Sequence, residues 1–582
     1  MRVAFSADKN WIFFMHETGA EYKYLANYPA FVKHGMYQAL PAKINVAHNV
    51  IQRLMRDKKK IAVDKDVYEF LQQPFKLREI PASFRFHTEP MDYQRIALRY
   101  LYTVGSGGIL LDPGMGKSKV VLDYIALQGF KRVVIVCPKA LLFVWEDEIA
   151  VHRPELNAYT VKSTDWEAEK EGVMSAQVVI INYNKAVTFK ERLKTAGFEF
   201  IHLDEFLIKD PTTDRTKYLT EIARCIPYRC GGSGTLINNS ILDVFSPVRY
   251  LEPGLVGWSF ANFRDKFTVK NPKDPKQIVA YKGTDTARSI LESCSIVMTK
   301  EKWLKLPEKK FHDISVSLTD EQREIYWGLT RNYVAKVGES FVEVDNPLVM
   351  LSKLYQISNG FLYISDEENE ADNECAELLA EDGRKKPKKK RRTYFFENSA
   401  KIKALEDLVT GKLADRRAII WFNMEAEYTL IKDMLDRLGH SYLTIKGGEK
   451  EIGKKVRQFN RDQTVQWLVC QAKSVNYGVT VMGTSVEKLE QEGVEVLPGL
   501  SPEVFTEIFY STNFSLEVFL QQQDRVHRLG QKHTCEYYRI FASTPVEHRI
   551  KEAIKDKMSI RYEMLVDIAE KIRTEDSEVN SD

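Results

Sequence analysis

Cysteine is scarce and poorly placed for chemistry. The 582 residues hold seven, at positions 137, 225, 230, 294, 375, 470 and 535, and no two form a Cys-x-x-Cys pair. An odd, scattered set speaks against a zinc module or a disulfide frame and for a reducing interior. Long apolar runs are missing too: nothing approaches the roughly 18 uninterrupted residues of a membrane-crossing helix, so no membrane partner is expected. The opening MRVAFSADKNWIFFMHETG has one early arginine and an apolar patch broken by Asp8 and Lys9, a poor secretion signal. Neither sign of charge dominates, with 84 Lys and Arg against 81 Asp and Glu. The molecule is therefore no polycation, and any nucleic-acid surface must be a local patch. Internal repeats are absent beyond two similar blocks described below.

What is present is an ordinary globular composition, 44% hydrophobic and 28% charged, on a chain long enough for two to four domains. The stretch LLDPGMGKSKVV, Leu110 to Val121, organises the rest. Gly114 and Gly116, with Met115 between them, allow a tight turn whose N–H groups face an anion. Lys117 then reaches β- and γ-phosphates, and the Ser118 hydroxyl suits Mg²⁺. The strict pattern G-x-x-x-x-G-K-[ST] is not met, because Leu111 stands where its first glycine would be. A glycine-rich turn capping an ordinary helix has the same letters, so further parts are needed.

From Pro90 the texture becomes α/β. Short β-branched runs, Val133 to Pro138, Gln177 to Tyr183 and Phe198 to Glu205, alternate with helical stretches, as buried parallel strands do. A second such block starts near Lys401, with runs at Arg417–Phe422, Ser441–Gly447, Val465–Gln471, Glu507–Ser511 and Cys535–Phe541. The fold class expected is α/β, with two tandem lobes of parallel sheet flanked by helices. Four segments follow: an accessory α+β domain over 1–85, a first lobe over 86–250, a helical protrusion and linker over 251–400, and a second lobe with C-terminal helices over 401–582. The accessory segment carries a strand at Trp11 to Met15, helices near Asn49–Arg56 and Val67–Gln72, and many aromatics. These suit a small core better than base stacking. The linker holds an acidic cluster, Asp366 to Asp382, then a basic run, Arg384 to Arg392. The basic run reads as a solvated insertion, a phosphate-contacting arm or a nuclear address.

At the end of one predicted strand stands HLDEF, with Asp204 and Glu205. A carboxylate pair there suits Mg²⁺ at Asp204 and an attacking water oriented and deprotonated by Glu205. Downstream, FLQQQDRVHRLGQ places Gln521, Arg525 and Arg528 at helical spacing on one predicted face. Arginines aimed at a γ-phosphate stabilise transition-state charge; surface arginines paired to acids are the plainer alternative.

In order, these residues resemble a superfamily-2 helicase-like ATPase of the Swi/Snf type, the group of double-stranded-DNA translocases that includes chromatin remodellers and annealing helicases. The resemblance runs from about Met91 to about Arg549. MDYQ, with Tyr93 and Gln94, resembles the adenine-reading motif, DPGMGKS motif I, and Ile135–Ile149 motif Ia. INYN resembles motif Ib, DEF motif II, SGTLINN motif III, and QAKSVNYGVTV, with Gly478, motif V. QQQDRVHRLGQ is the most specific match, to motif VI. The resemblance implies tandem RecA-like lobes and ATP with its adenine against Tyr93 and Gln94. It also implies Mg²⁺ held by Ser118 and Asp204, and closure of Arg525 and Arg528 from the second lobe. The expected function is an ATP-dependent motor on double-stranded or branched DNA, acting as a monomer. Its protein partners are not legible. The compact form resembles phage, bacterial or annealing members, so a cytoplasmic setting is expected, with a nuclear one the alternative.

Three departures stand out. Motif II continues as DEFLIKD, one residue short and lacking the histidine that normally couples nucleotide to motif III. Val475 and Asn476 replace two glycines of motif V, and Thr484 to Leu500 looks inserted. The alternatives are a strand-separating DNA or RNA helicase and a DNA-binding scaffold with an impaired ATPase.

Overall fold

The computed structural model describes residues 2–5, 11–15, 32–34, 37–41, 62–72, 76–234, 241–252, 255–256, 259–270, 278–332, 334–337, 340–343, 347–364, 392–449, 451–474, 480–491, 494–497, 501–512 and 515–555. The chain forms two compact units, Met1–Leu304 and Lys305–Asp582.

The first unit opens with a small five-stranded sheet. Arg2–Phe5 pairs antiparallel with Trp11–Met15 and parallel with Ala62–Val63; Tyr37–Pro41 and Val32–His34 complete it. Val3, Ile12 and Phe14 are fully buried, and Val67 of the following Lys65–Gln72 helix joins them. Arg2 makes a two-pronged ion pair with Asp64 at 2.7 Å. The strand at Trp11 to Met15 and the helix near Val67 are where the sequence puts them; the expected helix at 49–56 lies outside the described residues.

The strands of the two large sheets are numbered here in chain order. The first sheet contains β1 (Gly107–Leu111), β2 (Val133–Cys137), β3 (Ala158–Thr160), β4 (Val178–Asn182), β5 (Phe200–Asp204), β6 (Tyr228–Gly232) and β7 (Ser295–Met298). Their spatial order is β7-β1-β6-β5-β2-β4-β3, all parallel. Every residue of β1, β2, β4 and β5 is buried. A strand covered on both faces must be apolar at odd and even positions alike, which is why these runs do not alternate. The connection from β1 to β2 passes over β6 and β5, so β1 lies where the order of winding reverses. Loops at the C-terminal ends of such strands form the binding crevice of open α/β sheets.

The second unit repeats the plan. Strands β8 (Lys309–Val316), β9 (Ala418–Phe422), β10 (Tyr442–Ile445), β11 (Trp467–Gln471), β12 (Thr506–Phe509) and β13 (Cys535–Ala542) lie in the order β8-β13-β12-β9-β11-β10, again all parallel. The tandem α/β architecture expected from the sequence is thus the one observed. The stretch from 251 to 400, read as helical, also supplies β7 to the first sheet and β8 to the second. Neither strand stood out in sequence, because β8 is only half covered and alternates Lys, Phe, His and Asp between its faces. The acidic cluster and the basic run up to Arg391 lie outside the described residues; Arg392 begins a strand that pairs with Phe361–Ile364.

Two buried cations tie this second unit together. Arg417 donates to the carbonyls of Val465, Pro502, Phe459 and Asp462, joining the end of the Ile452–Arg461 helix, the loop after it and the loop at Pro502. Lys401 and Glu547, 1% and 2% exposed, form an ion pair between the helix at Ala400–Asp407 and the helix at Pro545–Lys555. Lys401 also donates to Asn359, and Glu547 accepts the Ala542 N–H at 2.6 Å. Burial holds the Glu547 carboxyl above its usual range, and Lys401 opposes that rise. Removing one partner strands the other in a dry site. Lys401→Met is therefore expected to destabilise the protein by about 3–5 kcal/mol, read as a lower urea midpoint at unchanged slope. A shift within experimental error shows that the pair contributes nothing net.

Candidate functional site

The phosphate loop hangs between two anchors. Past Leu111 the chain turns through Asp112–Gly116, closed by the Met115 N–H donating to Asp112 O at 3.2 Å, and the Lys117–Gln128 helix begins. Gly114 and Gly116 have φ of 84° and 72°, a left-handed conformation that glycine adopts freely. At Gly116 space adds a second demand: a Cβ would come within 2.3 Å of Gln94 Nε2. That amide is the first anchor. Gln94 Nε2 donates to Met115 O at 3.1 Å, while Gln94 Oε1 accepts the Met91 N–H at 3.0 Å. Asp112 is the second. Its carboxylate accepts the Lys300 N–H at 2.8 Å, and its own N–H donates to Met298 O at 3.2 Å. Tyr93, by contrast, is only 2% exposed, its hydroxyl buried among the described residues without a hydrogen bond.

The carboxylates arrive from two strands away. β6 lies between β1 and β5 in register, with Gly232 opposite Ile109 on one side and Asp204 on the other. Lys117 Nζ donates to Leu111 O at 3.2 Å and lies 3.9 Å from Glu205 Oε1, both side chains 11% exposed. Asp204 is buried. Its Oδ2 accepts the indole N–H of Trp145 at 3.0 Å, and its carbonyl accepts the Tyr183 hydroxyl at 2.7 Å. Burial pushes its carboxyl well above the usual range, the Glu205 charge adds to this, and Lys117 and the indole oppose it. Glu205 and Phe206 have φ of 61° and 30°, a conformation that costs energy outside glycine. Phe206 is held there by burial, its ring lying where a Cβ on Gly231 would collide. Phe206 thus fills the core behind Gly231, while Glu205 stays beside Lys117, just past the end of β5.

Trp145, Tyr183 and His202 lie beside Asp204, and sequence reasoning gave none of them a part there. Trp145 and Tyr183 stood inside motifs Ia and Ib, but only the fold aims them at Asp204. His202 shares the Asp204 face of β5, since side chains two apart on a strand point the same way. Its ring meets Trp145 edge-on at 5.4 Å, and neither ring nitrogen has a hydrogen-bond partner among the described residues. Burial, with Lys117 nearby, lowers its pKa to about 3, keeping it neutral. Of motif III, Ser233 is buried and Gly234 backs onto Pro113, where a Cβ would come within 2.5 Å of Cδ; 235–239 lie outside the described residues.

The second unit holds the motif VI residues, with one correction. Gln521, Arg525 and Arg528 do not share a helix: the Leu516–Gln523 helix ends before both arginines. Each arginine closes a turn on itself instead. Arg525 Nε donates to Gln521 O and Arg528 Nε to Asp524 O, both at 2.7 Å. These side-chain bonds take up carbonyls that a continuing helix would have used. The fourfold spacing of donor and acceptor survives; the helix does not. All three residues are buried, at 4%, 1% and 7% exposure. Arg528 also donates to Thr480 Oγ1 at 2.5 Å, and the Val481 N–H donates to Arg525 O, so motif V is bonded to motif VI. Gly478 lies outside the described residues.

A parallel sheet whose strand ends carry a glycine-turned lysine beside an Asp–Glu pair has the P-loop ATPase arrangement, and the second α/β unit makes it the tandem, helicase-like class. The chain belongs to the SNF2-related family: the SNF2-related domain matches residues 49–361, more than half of the sequence. Among curated proteins it is 22% identical to the Uncharacterized ATP-dependent helicase MG018 of Mycoplasma genitalium, over 82% of this chain and 42% of that protein. It is 22% identical to the ISWI chromatin-remodeling complex ATPase CHR11 of Arabidopsis thaliana, over 81% and 42%. It is also 22% identical to the TATA-binding protein-associated factor MOT1 of Saccharomyces cerevisiae, over 85% and 28%. The chain thus spans about two fifths or less of these relatives' lengths. A solved structure titled Sulfolobus solfataricus SWI2/SNF2 ATPase core in complex with dsDNA aligns at 18% identity and TM-score 0.37, over 85% of this chain and 95% of that one.

Trp145→Phe removes the indole N–H that fixes Asp204 and leaves most of the volume. If Asp204 is a Mg²⁺ ligand, the Mg²⁺ concentration that half-saturates ATP turnover rises by roughly 10-fold or more, as loss of a ligand's hydrogen-bond partner typically does. A Mg²⁺ titration superimposing on that of the parent shows that the indole only fills space.

Proposed function

We propose that the chain is an ATP-driven motor that moves along double-stranded DNA. The observation that carries the reading is the convergence, inside the first unit, of the Lys117 ammonium with Glu205 at 3.9 Å and a buried, indole-held Asp204. Lys117, on a glycine-turned loop, holds the β- and γ-phosphates, and the helix N-terminus behind it adds its N–H groups. The Ser118 hydroxyl and the Asp204 carboxylate are hard oxygen donors, the set through which Mg²⁺ binds nucleotide phosphates. Bound Mg²⁺ supplies charge neutralisation on the phosphates. Glu205, beside Lys117 just past the end of β5, orients and deprotonates the attacking water. Arg525 and Arg528 act on the charge of the transferring γ-phosphate, a role resting on their motif VI match. The motor is proposed to act as a monomer.

DNA as the track is supported by the names of relatives, among them a chromatin-remodeling ATPase, and by the H-R-L-G-Q text at His527–Gln531. Movement without strand separation is supported by the inserted segment. Leu489 is buried, and the Gln463 amide holds both Glu495 O and the Leu497 N–H, so the described part of the insertion is tied back to its own unit.

The test is a pair of assays on one preparation. Duplex DNA should stimulate ATP turnover and support ATP-dependent displacement of a third strand from a triplex, with no release of a strand from a blunt duplex. Strand release without triplex displacement makes the protein a strand-separating helicase; stimulation by RNA alone changes the substrate class; absence of turnover, also in the parent, leaves a DNA-binding scaffold. Lys117→Ala serves as the hydrolysis-dead control.

Arg528→Ala should cut turnover about 10³-fold or more while leaving ATP affinity near that of the parent, because a finger acts in the transition state. Normal turnover in this variant assigns Arg528 to packing against Thr480.

A further inference from the structure

Resting on the nucleotide reading above, we propose that Trp303 is the aromatic platform on which the adenine base stacks, and that Tyr93 is its buried support. The sequence match puts the base against Tyr93 and Gln94, but the two differ in what they present. The Gln94 amide is committed to the loop through Met115 O. Tyr93 is 2% exposed and offers no open ring face. The open aromatic at this place is Trp303, 41% exposed, its ring centroid 6.3 Å from that of Tyr93 with the planes at 53°. An exposed indole leaves a ring face open to a ligand, and Trp is the side chain richest in stacking area.

Trp303 is also mechanically tied to the phosphate loop. It ends the short helix Lys300–Trp303, and the first N–H of that helix donates to Asp112 Oδ2 at 2.8 Å, at the start of the loop. The strand before it, β7, pairs with β1 through Met298 opposite Leu111. The indole is therefore positioned by the same loop that would hold the triphosphate, on the side where Gln94 grips it. Stacking on the indole face asks for any flat nucleobase, and a planar purine offers the largest overlap.

The experiment measures ATP binding in the Lys117→Ala, Trp303→Ala and Trp303→Phe variants and the parent, by calorimetry, and turnover where it exists. Trp303→Ala should weaken ATP binding and raise KM about 10-fold or more, since loss of a base–aromatic stack has effects of this size, with kcat little changed. Inorganic tripolyphosphate, which has no base, should bind Trp303→Ala and parent alike but lose affinity for Lys117→Ala. Trp303→Phe should recover most of the ATP affinity, which a folding defect would not. Tryptophan emission should fall when ATP binds the parent, and the drop should shrink in Trp303→Phe. If the parent binds ATP and Trp303→Ala binds it as tightly, or loses tripolyphosphate as well, the assignment of Trp303 is overturned and the nucleotide site stands. If the parent binds neither ATP nor tripolyphosphate, the nucleotide reading itself fails, and this proposal with it.

Discussion

Three strand ends held abreast set the terms for everything else in the first unit. Parallel pairing puts Ile109, Gly232 and Asp204 side by side in β1, β6 and β5. The loops that follow these strands then have to be neighbours, although about ninety residues separate Lys117 from Asp204 in the chain. No local preference produces that proximity. It comes from burying the apolar faces of β1 and β5 in one sheet, and a slip by one residue would turn the Asp204 side chain to the opposite face.

The cost of this placement is electrostatic. Asp204 sits where its charged form is poorly solvated, beside a second carboxylate, and one lysine and one indole N–H supply partial compensation. Buried charge is tolerated when paired and hydrogen-bonded. A divalent cation at the site proposed above would complete that compensation. His202 follows the opposite rule. With no partner for either nitrogen it stays neutral, so it adds an aromatic wall beside Trp145 without a further charge.

The second unit uses backbone carbonyls where the first uses a carboxylate. Arg525 and Arg528 each spend their Nε on a carbonyl four residues back, which fixes the stem of the side chain and leaves the rest of the guanidinium to other contacts. Arg528 reaches Thr480 of motif V. The two motifs, some 45 residues apart in sequence, are joined by direct bonds. A substitution in either is expected to be felt in both, because neighbours in one hydrogen-bonded network do not act additively.

Local chemistry carried a long way in this sequence. Glycines at 114 and 116, a lysine opening a helix, an Asp–Glu pair at a strand end and the arginine spacing of motif VI are short-range patterns, so they are legible without a structure. The continuous apolar strands are legible for the same reason. Other features depended on partners far along the chain. β7 and β8 have ordinary sequences and become strands because a sheet edge is there to pair with. The Leu516–Gln523 helix ends short of both arginines, whose side chains bond the Gln521 and Asp524 carbonyls, an outcome helical spacing does not encode. Trp145 and Tyr183 acquire a role only where the fold aims them at Asp204. Tyr93, expected to face a base, is buried while Trp303, 210 residues on, is exposed, for the same reason: burial is decided by what packs alongside, and the sequence by itself specifies only which side chains are able to do it.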